Sequence, residues 1–210
     1  MQNSALQALD SPDLTMVAIL RGLDTQRAQA IGERLYEIGF RALEVPLNRP
    51  QARECIEILC KTMPADMLVG AGTVTSLAQV QMVQQMGGRL VVSPHCDVVL
   101  IEQSLSLGLL CIPGVFTASE AFLAWRAGAR ALKLFPADVL GLEGFKSLAS
   151  ILPPELALLP VGGVGPHNLQ AWRQAGATGF GIGGYLFKPS DTLEQVSKQA
   201  QSCIRAWHQT

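Results

Sequence analysis

Two ionisable residues stand where the surrounding sequence is apolar: Lys133 inside Arg130-Ala-Leu-Lys-Leu-Phe-Pro136, and Glu44 inside Ala42-Leu-Glu-Val-Pro46. Burial disfavours the charged form of each, so the amine pKa falls and the carboxyl pKa rises, while their mutual attraction pushes both back. A neutral amine can attack a ketone to form a Schiff base. An acid/base beside it can deliver and remove the protons needed at the carbinolamine and at the carbon that becomes nucleophilic. The pair therefore points to imine chemistry on a keto substrate. Two structural readings stand beside it: a strand-end lysine snorkelling to solvent along its stem, and a buried Lys-Glu pair that only fixes register. Such pairs are a weak source of stability, which favours the catalytic reading.

Glycine forms the second constellation, in Pro160-Val-Gly-Gly-Val164 and Gly181-Ile-Gly-Gly184. Without side chains, backbone N–H groups can approach an oxyanion closely, so Gly162, Gly163, Gly183 and Gly184 are candidate phosphate-binding positions. Glycine also serves plain tight turns, and it is the occurrence of both pairs at successive strand ends that supports the phosphate reading. His95, next to Pro94, is either a substrate contact or a solvated rim residue. Arg49 and Arg53 either reach an anion or face solvent, and Asp138 is read as a helix-capping or loop residue.

The elements that must position these residues follow from hydrophobic patterning. Continuously apolar runs at 16–20, 42–45, 67–69, 90–93, 109–112, 131–134, 157–161 and 179–182 read as strands buried on both faces. Amphipathic stretches at 25–38, 51–61, 77–86, 98–107, 119–127, 144–151, 168–175 and 192–207 read as helices. Gly39, Gly87, Gly108, Gly128 and Gly176 fall where five of those helices need a left-handed cap. Eight βα units in 210 residues predict an α/β fold, a (β/α)8 TIM barrel forming one domain over residues 1–210, with 1–14 as a helical extension. In such barrels the site gathers at the carboxyl ends of the strands, where Arg21, Glu44, Asn48, Thr73, Ser93, Lys133 and the glycine pairs stand.

Composition excludes several classes. A net charge of −1 with dispersed Lys and Arg gives no basic stripe, and 6% aromatic content offers few stacking platforms, so no nucleic-acid partner is expected. No apolar window is long enough to span a bilayer, and residues 1–10 lack the pattern of a signal peptide, so no membrane partner and a cytoplasmic location are expected. The five cysteines are read as buried thiols of a reducing compartment. His95, His167 and His208 have no metal-ligand spacing, so no metal and no cofactor are expected. Trp125, Trp172 and Trp207 and the six methionines are read as packing residues.

Five ordered motifs together carry a family resemblance: Ala18-Ile-Leu-Arg-Gly22, Ala42-Leu-Glu-Val-Pro-Leu-Asn48, Val69-Gly-Ala-Gly-Thr-Val74, Ala131-Leu-Lys-Leu-Phe-Pro136 and Val161-Gly-Gly-Val164. Along nearly its whole length the chain resembles the class I 2-keto-3-deoxy-6-phosphogluconate and 6-phosphogalactonate aldolases. The resemblance implies a homotrimeric barrel that reversibly cleaves a phosphorylated keto-deoxy sugar acid to pyruvate and D-glyceraldehyde 3-phosphate without metal. It implies Lys133 as the Schiff-base lysine and Glu44 as the acid/base. Arg21 and Thr73 would hold the acid end or hydroxyls, Pro94 and Phe135 would shape the pyruvate pocket, and Gly162, Gly163, Gly183 and Gly184 would line the phosphate site. Asn48, Val92, Val161 and Gly165 complete the implied substrate-binding set. Gluconate-type enzymes commonly have arginine at the place of Asn48 and threonine at that of Val161. Galactonate-type enzymes look more like this chain, and the galactonate epimer is the expected substrate, with the gluconate epimer or mixed specificity as the alternative. The family often has serine where Gly184 stands, and the lost hydroxyl removes about 1 kcal/mol of phosphate affinity where no water replaces it. Two rivals are a phospho-sugar isomerase or epimerase, which would need a second strand-end acid/base, and a catalytically silent phospho-sugar sensor, which would have little use for a buried lysine beside a buried acid.

Overall fold

Short apolar strands alternate with amphipathic helices through residues 16–209, the part of the chain that the computed structural model describes. The helical extension expected over 1–14 lies outside the described residues. The strands are β1 (Met16–Ile19), β2 (Ala42–Pro46), β3 (Leu68–Gly72), β4 (Leu90–Val92), β5 (Leu110–Ile112), β6 (Gly114–Val115), β7 (Ala131–Leu134), β8 (Ala157–Pro160) and β9 (Phe180–Ile182). The helices are α1 (Ala28–Ile38), α2 (Ala52–Thr62), α3 (Leu77–Gln85), α4 (Val98–Ser106), α5 (Ala118–Arg126), α6 (Ala137–Ala149), α7 (Leu169–Gln174) and α8 (Leu193–His208). None is long and apolar enough to cross a membrane.

All strand pairs are parallel, as continuous apolar runs require, but the ladder is divided. Six strands pair in the order β5-β4-β3-β2-β1-β9 and three in the order β6-β7-β8. The run expected over 109–112 pairs with β4 as β5, and the chain then passes Pro113 to pair with β7 as β6. Proline has no N–H to donate, so the strand breaks there, although the Pro113 carbonyl still accepts from the Lys133 N–H at 2.9 Å. On the other side, β8 and β9 meet through one parallel bridge, Val161 to Gly181, and through the Thr178 N–H donating to the Leu158 carbonyl at 3.1 Å. The alternating parallel α/β architecture expected from the sequence is thus present, distributed over two sheets.

Side-chain parity divides the core in two. Val17, Ala42, Leu68, Leu90, Leu110, Ala131 and Leu159 pack together on one face of the strands. Their immediate neighbours along the strands, among them Ala18, Leu43, Val69, Val91, Cys111 and Leu132, pack against the helices. The tryptophans serve this outer layer, with edge-on ring contacts of Trp172 to Phe145 and Trp207 to Phe180 at 5.5 and 5.8 Å. Cys55, Cys111 and Cys203 are buried, whereas Cys60 and Cys96 are half-buried, and all five are free thiols. The five glycines expected as caps all adopt positive φ. Helix α6 begins at Ala137, seven residues before its expected start, because Pro136 opens it and Gly141, at φ 70°, breaks its sequence periodicity.

Candidate active site

Glu44 and Lys133 lie two residues beyond the inward-facing Ala42 and Ala131 on their strands, so parity turns both toward the same interior. They are 2% and 8% exposed. Burial pushes the Glu44 carboxyl up to about 7, opposed by the positive charges of Lys133 and Arg21. Burial lowers the Lys133 amine, opposed by Glu44 and assisted by Arg21. No ion pair joins the two, and Glu44 Oε2 has no hydrogen-bond partner among the described residues. A cavity of about 10 Å³ between them, walled also by Val92 and Val161, has the size of a single water site. Lys133 Nζ lies 4.7 Å from the Phe135 ring centroid, within cation–π range.

Neighbouring glycines make this arrangement possible. A Cβ on Gly72 would stand 1.8 Å from Glu44 Oε2, so the carboxylate occupies the space a side chain would take. The next residue, Thr73, adopts φ 57°, a left-handed conformation that a β-branched residue holds only where the surroundings impose it.

Above the pair opens a cleft of about 540 Å³, a volume suited to a small substrate. It gathers Arg21, Phe135, Val161, Gly162, Gly163, Gly183 and Gly184 from the expected set. His167, Tyr185, Phe187, Lys188 and Pro189, not singled out from sequence, form the rest of the wall with Ile19, Val164 and Gly181. Four expected residues are not part of either lining. Asn48 is exposed in the turn after β2, Thr73 and Pro94 are half-buried at their strand ends, and Gly165 is buried, its N–H donating to Asn168 Oδ1 at 3.0 Å. His95 is tied to Ser93 Oγ through Nδ1 at 3.0 Å, and Arg53 pairs with Glu57 at 3.2 Å. Asp138 makes no capping hydrogen bond; it sits in the first turn of α6 against the Gly162-Gly163 turn, where a Cβ on Gly163 would come within 3.0 Å of its own Cβ. No group of three or more potential metal ligands exists among the described residues.

A parallel α/β fold with a glycine-rich cleft at strand ends, set over a buried lysine and a buried acid, has the architecture of an enzyme for small substrates. The profile of the KDPG and KHG aldolase family matches residues 11–202. A probable 2-dehydro-3-deoxy-6-phosphogalactonate aldolase of Rhizobium meliloti is 41% identical over 91% of each chain. The 2-dehydro-3-deoxy-6-phosphogalactonate aldolase of Escherichia coli is 37% identical over 93% of this chain and 96% of that one. A solved structure described as native KDPGal superposes with a TM-score of 0.90 at 37% identity, covering 92% of this chain and 94% of the other. The chain belongs to the KDPG and KHG aldolase family of lyases.

Proposed function

We propose that the protein is a class I aldolase that reversibly cleaves 2-dehydro-3-deoxy-6-phosphogalactonate to pyruvate and D-glyceraldehyde 3-phosphate. The observation that carries this reading is the burial of Lys133 and Glu44 together beneath the cleft. Neutral Lys133 adds to the C2 ketone, Glu44 protonates the departing hydroxyl, and loss of water leaves a protonated imine. Glu44 then removes the C4 hydroxyl proton, the C3–C4 bonding electrons pass into the imine, and the aldehyde leaves an enamine. Protonation at C3 and hydrolysis release pyruvate and the free amine.

Arg21 and Phe135 flank the reacting end, and the glycine turns at 162–163 and 183–184 receive the phosphate. Asn48, Thr73, Pro94 and Gly165 retain the binding roles that the resemblance implies, with Val92 at the pyruvate end. The names of the relatives favour the galactonate epimer, as do Asn48 and Val161. The two sheets are read as one closed (β/α)8 barrel forming a single domain, with β5 and β6 a single strand interrupted at Pro113 and the Val161–Gly181 bridge closing the circle. A homotrimer is proposed from the resemblance, and free thiols suit a cytoplasmic location.

Borohydride trapping with pyruvate tests the chemistry. A reduced pyruvyl adduct confined to Lys133, absent in Lys133→Ala together with cleavage, is expected. Activity retained by that variant, or an adduct on another lysine, would overturn the assignment. Steady-state assays on both epimers settle the substrate: a kcat/KM for the gluconate epimer above that for the galactonate epimer would overturn the epimer assignment.

A further inference from the structure

The wall residues overlooked in the sequence include a second cation. Among the described residues lining the cleft two are cationic, Arg21 and Lys188, and none is acidic. The two serve different ends. The charges that shift Glu44 and Lys133 are each other's and Arg21's, which places Arg21 near the reacting atoms. Lys188 is on the segment that follows β9 and Gly183-Gly184, on the side that would receive the phosphate.

That segment is a built structure. The Gly183 carbonyl accepts from the N–H groups of Leu186 and Phe187 at 2.8 and 3.0 Å, which turns the chain over the cleft. The Lys188 N–H donates to Asp191 Oδ2 at 2.9 Å, and the Asp191 N–H donates back to the Lys188 carbonyl at 3.0 Å. Arg27 on the far side donates to the Pro189 carbonyl at 2.8 Å and to the Asp191 carbonyl, and its guanidinium lies 5.8 Å from the Phe187 ring. The backbone of Lys188 is thereby fixed from both flanks, while its ammonium makes no ion pair among the described residues. Gly184, meanwhile, faces open space: a Cβ there would meet nothing within 4 Å. A hydroxyl-bearing side chain would fit, and this chain lacks one.

We propose that Lys188 is the specificity-determining residue for the phosphate end of the substrate, its ammonium supplying the charged hydrogen bond that position 184 does not. The inference rests on the aldolase reading above. Kinetics of wild type, Lys188→Met, Lys188→Arg and the double variant Lys188→Met with Gly184→Ser on the phosphorylated galactonate acid test it, with borohydride trapping of pyruvate on each. A charge-assisted contact predicts that Lys188→Met raises KM about tenfold to a hundredfold. Its kcat should stay within a few-fold, its pyruvate adduct should form as in wild type, and inorganic phosphate should inhibit it less. Lys188→Arg should retain KM, and the serine should recover part of the loss. An unchanged KM in Lys188→Met, with normal trapping and normal phosphate inhibition, would overturn the inference and leave the aldolase reading intact. A wild type that neither cleaves nor traps overturns that reading and the inference with it.

Discussion

Glu44 owes its place to a glycine on the adjacent strand. The β2–β3 register sets Pro46 against Gly72, and the acid leans into the space where a Gly72 side chain would begin. Gly72 is not at positive φ, so Gly72→Ala is permitted by the backbone and forbidden by the carboxylate. On the mechanism proposed above, displacing Glu44 should lower kcat by about 10²-fold or more, a typical contribution of positioned proton transfer. Steady-state kinetics read this directly, and near-wild-type turnover would show that the carboxylate has another workable position.

The pH dependence of folding carries the same residue's signature. Burial holds the Glu44 carboxyl up to about 7, above its ordinary 4.5, so between these values the folded protein keeps a proton that the unfolded chain releases. Its contribution to stability is present below pH 4.5 and is lost as pH rises through 7. Lys133 acts in the opposite sense: its lowered amine pKa costs stability while the group is charged, and that cost fades as pH rises. In denaturant titrations, wild type should therefore lose stability relative to Glu44→Gln between pH 4.5 and 7. A difference that is flat across the window would show that the carboxyl is not held neutral.

At the scale of elements, helix ends punctuate the fold. Gly128 closes α5 at φ 101°, with its N–H donating to the Trp125 carbonyl at 3.0 Å. Gly128→Ala forces a left-handed L-residue there and presses on the Leu105 side chain, so it should cost about 1–2 kcal/mol, or roughly 2–4 °C of Tm per kcal/mol. Thermal denaturation measures this; an unchanged Tm would show that the turn relaxes.

Such caps were readable in the sequence because a glycine after an amphipathic stretch has one common use. The strands were readable because burial on both faces leaves continuous apolar runs, and a lysine or glutamate inside such a run is conspicuous. Strand β3 was read as ending at Val69 because its last residues include Gly70 and Gly72, poor strand formers by composition. They are placed there by contacts from other strands, Leu90 against Gly70 and Glu44 against Gly72. Lys188 gave no local signal at all. Its loop is set over the cleft by Arg27, 162 positions away in sequence from the Pro189 carbonyl it holds, and no periodicity reports such a contact.

For the whole molecule, the division of the ladder at Pro113 has a consequence for performance under heat. Glu44 belongs to the six-stranded sheet and Lys133 to the three-stranded one. No unbroken hydrogen-bonded ladder runs between them; their spacing depends on one proline-interrupted strand and on the sparse contact of β8 with β9. Sparsely bonded regions open at lower free energy than ladders do. On warming, acid and amine should drift apart while both sheets are still intact. Catalysis should fade reversibly some degrees below the loss of circular dichroism, accompanied by early hydrogen exchange at the Thr178 amide. Coincident midpoints would mean that the two joins are as strong as the sheets. If the midpoints separate, the working temperature of the enzyme is set by how two halves are fastened, and an engineer seeking a more durable catalyst should reinforce those joins before touching the core.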